Sequence, residues 1–145
     1  MKIEEQVLSR EQMKHLQELS VDTSDASMYW VRAKRIIGKQ RNNVLDNEMG
    51  KWRLSLSKSI VRSVDWAVES VPTYTICDII KKLPKRIGIY HLMINCDLMQ
   101  YISWAWQETI FRRCFNFKDK PLINALYDCL CWVAENHKEL LEMKK

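Results

Sequence analysis

The residues able to do chemistry are spread unevenly along the chain. Between Arg32 and Arg62 lie nine basic residues against two acidic ones, Asp46 and Glu48, a local charge of +7 in a chain whose net charge is +5. Alternate positions of a strand share a face. Arg32 with Lys34, and Lys51 with Arg53, would therefore line two adjacent strands of a hairpin, with Lys39 and Arg41 towards its tip. Such a ribbon can contact phosphates, each contact releasing counterions. A charged outward face is also what any half-exposed hairpin needs to stay soluble, and that is the commoner use of such residues.

Aromatic residues are the second feature, six of them tryptophan. Trp104 and Trp106 stand two apart, on one face of a strand with Ile102. Exposed, the pair would form a stacking platform or a partner anchor; facing a helix stripe, it would be core.

Nucleophile and metal patterns are weak. The five cysteines (Cys77, Cys96, Cys114, Cys129, Cys131) are an odd number without a C-x-x-C pair, which argues against a disulfide framework and a zinc ribbon. They read as reduced thiols, mostly buried as small hydrophobes. Cys129 and Cys131 are about 200° apart around a helix and cannot converge on one ion, and His137 does not restore a ligand face. His91, Asn95 and Asp97 could meet at a strand end beside Cys96, but strand alternation turns Cys96 away from His91. There is no Gly-rich phosphate loop, no H-E-x-x-H and no G-x-S-x-G. No catalytic, cofactor-binding or metal-ligating residue is assigned, and a non-enzyme is expected.

The elements that must position these residues can be read in order. Leu8-Ser9-Arg10-Glu11-Gln12-Met13 holds a complete helix opening: Ser9 caps, Gln12 closes a capping box, and Leu8 and Met13 take the staple positions. A helix should follow from about Arg10 to Leu19, with Met13, Leu16 and Leu19 as its apolar stripe and His15 off it. Met28 to Ile37 has strand composition, and residues 38–50 read as a mobile hairpin loop. Lys51 to Ser57 alternates strictly, with Trp52, Leu54 and Leu56 inward. Val64, Trp66 and Val68 suggest a third strand. Thr75 and Asp78 form a second box, opening a short helix from Ile76 to Leu83 that Pro84 stops. Ile89–Asn95 and Tyr101–Gln107 read as two further strands. Asp119 or Lys120 should cap the longest helix, with Pro121 in its first turn. Leu122, Leu126, Cys129, Leu130 and Val133 would be its buried face, with Asn124, Asp128 and Glu135 turned to water. Residues 139–145 continue that helix or fray.

This is an α+β plan: a mostly antiparallel sheet of about five strands, a long C-terminal helix and two shorter ones, in one domain over residues 1–145. Hydrophobic residues at 47% and charged residues at 28% exclude a disordered or low-complexity chain. Acidic residues within Met1–Gln6 leave no apolar run for a signal peptide, and polar residues interrupt the apolar stretch Ile87–Trp106. A cytoplasmic protein without a membrane span is expected.

Two blocks carry a resemblance. Leu8–Leu16 running into Val21–Met28, and Pro72–Ile80 before Leu83-Pro84, resemble a family of short uncharacterised bacterial proteins of gut anaerobes, often found among phage-like or mobile-element genes. Leu122–Trp132 fits the same pattern, and Arg32–Arg62 matches least. The resemblance implies a setting and no activity, and it transfers no site residues. The expectation is a non-enzymatic interaction or accessory protein of a bacterial mobile element or prophage. Its partner would be an unidentified protein, or a second copy joined through a strand edge or aromatic face. The alternative is nucleic-acid binding through the basic hairpin.

Overall fold

Two reciprocal side-chain caps start the helices that frame the molecule. The structure, a computed structural model, describes residues 3–35, 52–56, 66–96, 100–106 and 110–142. After a 3-10 turn at Ile3–Gln6 comes α1, Arg10–Glu18. Ser9 Oγ accepts from the Gln12 amide (3.1 Å), and Gln12 Oε1 accepts from the Ser9 amide (2.9 Å). Helix α2, Ile76–Lys82, repeats the device with Thr75 and Asp78 at 3.1 and 3.0 Å. Asp78 Oδ2 also accepts from the Ser27 amide and hydroxyl, tying the approach to the first strand to α2.

Helix α1 ends with the Ser20 amide donating to the Gln17 carbonyl and the Val21 amide to the Leu16 carbonyl. This closure requires left-handed backbone at the residue after the cap, usually glycine. Here it is Ser20, at φ 64°.

Among the described residues seven strands form two antiparallel sheets, where the sequence suggests one of about five strands. The first has the order β2-β1-β3, from β1 (Met28–Arg35), β2 (Arg53–Ser55) and β3 (Trp66–Thr73). Strand β3 continues five residues beyond the expected Val68 and includes Pro72, which an outer strand tolerates because its missing N–H breaks no ladder bond there. Leu56 lies past the end of the short β2 and is 79% exposed, so the expected inward triplet is reduced to Trp52 and Leu54, both half-buried. The expected loop at 38–50 lies outside the described residues.

The second sheet has the order β4-β5-β6-β7: β4 (Arg86–Ile87), β5 (Tyr90–Asn95), β6 (Tyr101–Trp106) and β7 (Ile110–Asn116). Gly88, at φ 62°, opens the two-residue turn between β4 and β5, a conformation that suits glycine.

Helix α3, Leu122–Asn136, packs against α2, β6 and β7, and α4, Lys138–Glu142, follows it where a frayed tail was one expectation. Pro121 itself is the N-cap, without a side-chain cap bond, and neither Asp119 nor Lys120 takes that position. Leu126, Cys129, Leu130 and Val133 are fully buried as expected and Leu122 is half-buried, but Ile123, Ala125, Cys131 and Ala134 are buried as well. The helix is therefore covered on most of its circumference. Asn124 does not simply face water: its Oδ1 accepts from Gln12 Nε2 of α1 (3.3 Å). Asp128 is half-buried and paired with Lys120 (2.9 Å), while Glu135 is exposed. Among the described residues, no helix is long and apolar enough to cross a membrane.

Candidate functional site

A concave site lies where the α1–β1 loop, the end of α2 and α4 meet. Its foundation is Tyr74, fully buried between β3 and α2. The Tyr74 hydroxyl proton is shared between the Asp22 carbonyl (2.8 Å) and Asp25 Oδ1 (2.6 Å). Burial above all, then the Asp25 hydrogen bond and nearby carboxylates, push its ionisation well above the ordinary tyrosine range. It stays a phenol and a donor.

Lys82 stands beside it. Its side chain is only 10% exposed, and Nζ donates to the Asp22 carbonyl (2.7 Å) and to Asp25 Oδ2 (3.0 Å). The ammonium lies 5.9 Å from the Tyr74 ring centroid, within cation–π range. The Asp25 carboxylate is thus gripped from both sides, by a phenol and an ammonium.

Above this triad opens a groove of about 390 Å³, with Ser20, Asp22 and Asp25 on one wall, Lys82 at the base, and Lys138, Leu141 and Glu142 of α4 opposite. A second hollow of about 260 Å³ continues it past Lys82 to Lys81 and Asp78. The groove offers ammonium and carboxylate groups around a small apolar patch, a lining suited to electrostatic recognition. Sequence reading missed it because its charges come from three segments, each of which looks like an ordinary solvated turn or helix end.

A second constellation sits on the seam between α1 and α3. Tyr127 and Cys131, one turn apart on α3, meet His15 of α1: the Tyr127 hydroxyl is 2.5 Å and Cys131 Sγ 3.7 Å from His15 Nδ1. Burial pushes the Cys131 thiol up to about 11, partly offset by its hydrogen bond with Tyr127. At neutral pH it is a protonated thiol in a polar seam and not an activated nucleophile. Cys129 is wholly buried and its ionisation is raised further, first by desolvation. The expectation that most cysteines are buried is corrected: Cys77, Cys96 and Cys114 are exposed, and all five are unbridged. The spacing of Tyr127 and Cys131 is a one-turn signal, but nothing local to α1 pointed His15 at them.

The residues singled out in the sequence fare differently. The register pairs Val31 with Arg53, so Arg53 shares the Val31 face of the first sheet, while Arg32 points to the other. Arg32 Nε donates to Glu69 Oε2 (2.8 Å), and its guanidinium lies 4.6 Å from the Trp52 ring, which also receives Arg10 at 4.4 Å. The two strands therefore do not bring Arg32 and Arg53 into one ribbon. Lys34 lies on β1 opposite Ala67, its side chain outside the described set, and Lys39, Arg41 and Lys51 fall outside the described residues.

Trp104 is fully buried. Its Nε1 donates to the Pro84 carbonyl (2.9 Å), and its ring lies 5.5 Å from that of Trp132 on α3. It is core, so the pair with Trp106 is not an exposed anchor; the Trp106 side chain lies outside the described set. His91 and Cys96 are both exposed near the ends of β5, and Asp97 falls outside the described residues. Among the described residues, no group of three or more His, Cys, Asp or Glu side chains is placed to hold a metal ion.

Comparison of the chain with protein families, with curated proteins and with solved structures finds no match.

Proposed function

We propose that the protein is a non-enzymatic interaction protein whose recognition surface is the charged groove between the α1–β1 loop, α2 and α4. One observation carries this reading: a nearly buried ammonium, Lys82, is fixed at the base of a groove walled by carboxylates on one side and by Lys138 and Glu142 on the other. Holding a charge there requires the Asp25 and Asp22 acceptors, and the result is a polarised surface suited to binding. The resemblance to uncharacterised bacterial proteins of mobile elements suggests a bacterial or phage setting.

Nucleic-acid binding by the β1–β2 hairpin draws support from the net charge of +5. Against it stand the engagement of Arg32 with Glu69 and the placement of Arg53 on the opposite face. Self-association through an aromatic face built on Trp104 is disfavoured, since Trp104 is committed to the core.

The test is affinity capture from bacterial lysate with the wild-type protein and with the charge swap Lys138→Glu/Glu142→Lys. A partner retained by the wild type and lost by an equally stable swap supports the reading. Identical capture by both proteins refutes it, and light scattering on the same samples reports any homodimer.

A further inference from the structure

Resting on the groove as the recognition surface, we infer that its occupant is a short zwitterionic peptide, with its α-carboxylate on Lys82 and Lys138 and its α-ammonium on Glu142. An ammonium has three donors. Lys82, nine-tenths buried, uses two of them on the Asp22 carbonyl and Asp25 Oδ2, and leaves one N–H without an acceptor among the described residues at the base of the cavity. That unfilled donor asks for an anion or a carbonyl.

The opposite wall asks for both signs. Lys138 and Glu142 stand four residues apart on α4, a spacing that commonly pairs such side chains. Yet among the described residues neither side chain makes a hydrogen bond or ion pair, while both line the cavity. The carboxylates that could neutralise the lysines are engaged elsewhere: Asp22 with the Ser24 amide, Asp25 with Tyr74 and Lys82, and Asp78 with Thr75 and Ser27. A purely anionic ligand would leave Glu142 opposed, and a purely cationic one would meet Lys138. A ligand bearing both charges satisfies both walls.

Size and lining favour a peptide over a free amino acid. The 390 Å³ groove falls in the range of small-ligand pockets, about 300–1,000 Å³, and continues into the 260 Å³ hollow. Val21 and Leu141 supply apolar contact for a side chain between the two charged ends.

The experiment is isothermal titration of the full chain with the tripeptide Ala-Leu-Ala, its N-acetylated form, its C-amidated form and free leucine. The free tripeptide should bind, and blocking either end should weaken binding at least tenfold. Lys138→Gln should lose affinity for the free and N-acetylated peptides, and Glu142→Gln for the free and amidated ones. Both variants should keep the wild-type thermal melt. No heat with any peptide at millimolar concentration, or equal affinity for the blocked forms, overturns the inference. Leucine binding as tightly as the tripeptide overturns the peptide assignment. Failure here with charge-swap-dependent partner capture intact refutes only this inference, whereas loss of that dependence refutes the groove itself.

Discussion

Replacing Tyr74 by Phe removes one oxygen from the foundation of the groove and almost nothing else. The hydroxyl is fully buried and donates towards a carboxylate, and hydrogen bonds to charged groups contribute about 1.5–3 kcal/mol. Lys82 Nζ still reaches the Asp22 carbonyl and Asp25 Oδ2, and Asp25 Oδ1, which loses its donor, belongs to a carboxylate about half exposed and open to water. The expected loss is therefore near the lower end, about 1.5–2 kcal/mol at pH 7. The pH dependence gives the prediction its sign. The folded state holds Tyr74 above the ordinary tyrosine value of 10.0, so its contribution is fully present below that value. As pH rises, the unfolded chain ionises first and unfolding is favoured. One unit above the unfolded pKa the wild type should have lost about 1.4 kcal/mol from this group alone, and the variant none of it. Urea melts of both proteins at pH 7, 9 and 11 would measure this as a stability gap that narrows in alkali. A variant as stable as the wild type at pH 7, or a gap unchanged from pH 9 to 11, would refute the buried hydrogen-bonded phenol.

Ser20→Gly should stabilise the protein by roughly 0.5–1 kcal/mol, since Ser20 holds left-handed backbone at φ 64°; a loss in urea melts would contradict that geometry. Leu126→Ala should cost about 2–5 kcal/mol, while the exposed Glu135→Ala should stay within about 0.5 kcal/mol; comparable melts for the two would mean the helix faces are misassigned. Cys131, with its thiol pushed up to about 11, should react with iodoacetamide at pH 8 far more slowly than exposed Cys77, and faster by about tenfold per pH unit up to its pKa. Peptide-level mass spectrometry reads both rates, and equal labelling at pH 8 would count against the buried seam.

The helices were legible in the sequence because their signals are local. Ser9 with Gln12, and Thr75 with Asp78, satisfy backbone donors three residues away, so four letters are enough to place a start. The strands were legible only where alternation was clean. Strand β7 was missed because Arg112 and Arg113 in succession break the period of two, and the end of β3 because Glu69, Ser70 and Pro72 are poor strand residues. The basic ribbon failed for a different reason. Alternation within β1 and within β2 says which bases share a strand face, but the register between the strands decides whether those faces coincide, and a one-residue slip reverses the answer. The groove and the His15–Cys131 seam were out of reach for the same cause, since each is a tertiary meeting of segments whose local patterns carry no mark of the other.

The seam between α1 and α3 also sets a timetable. Gln12 meets Asn124, and His15 meets Tyr127, each across 112 residues of chain. At about 5–20 residues per second of synthesis, the first helix leaves the ribosome roughly 6–22 s before its docking surface exists. Through that interval β3, which packs on α1, and Tyr74, whose carbonyl accepts from the Leu8 amide, give only part of the cover that Leu8, Met13 and Leu16 have in the finished molecule, where all three are fully buried. The seam of α1 with α3 can close only near the end, and a ribosome stalled before Leu122 would leave that side of α1 open to the cell's quality-control machinery.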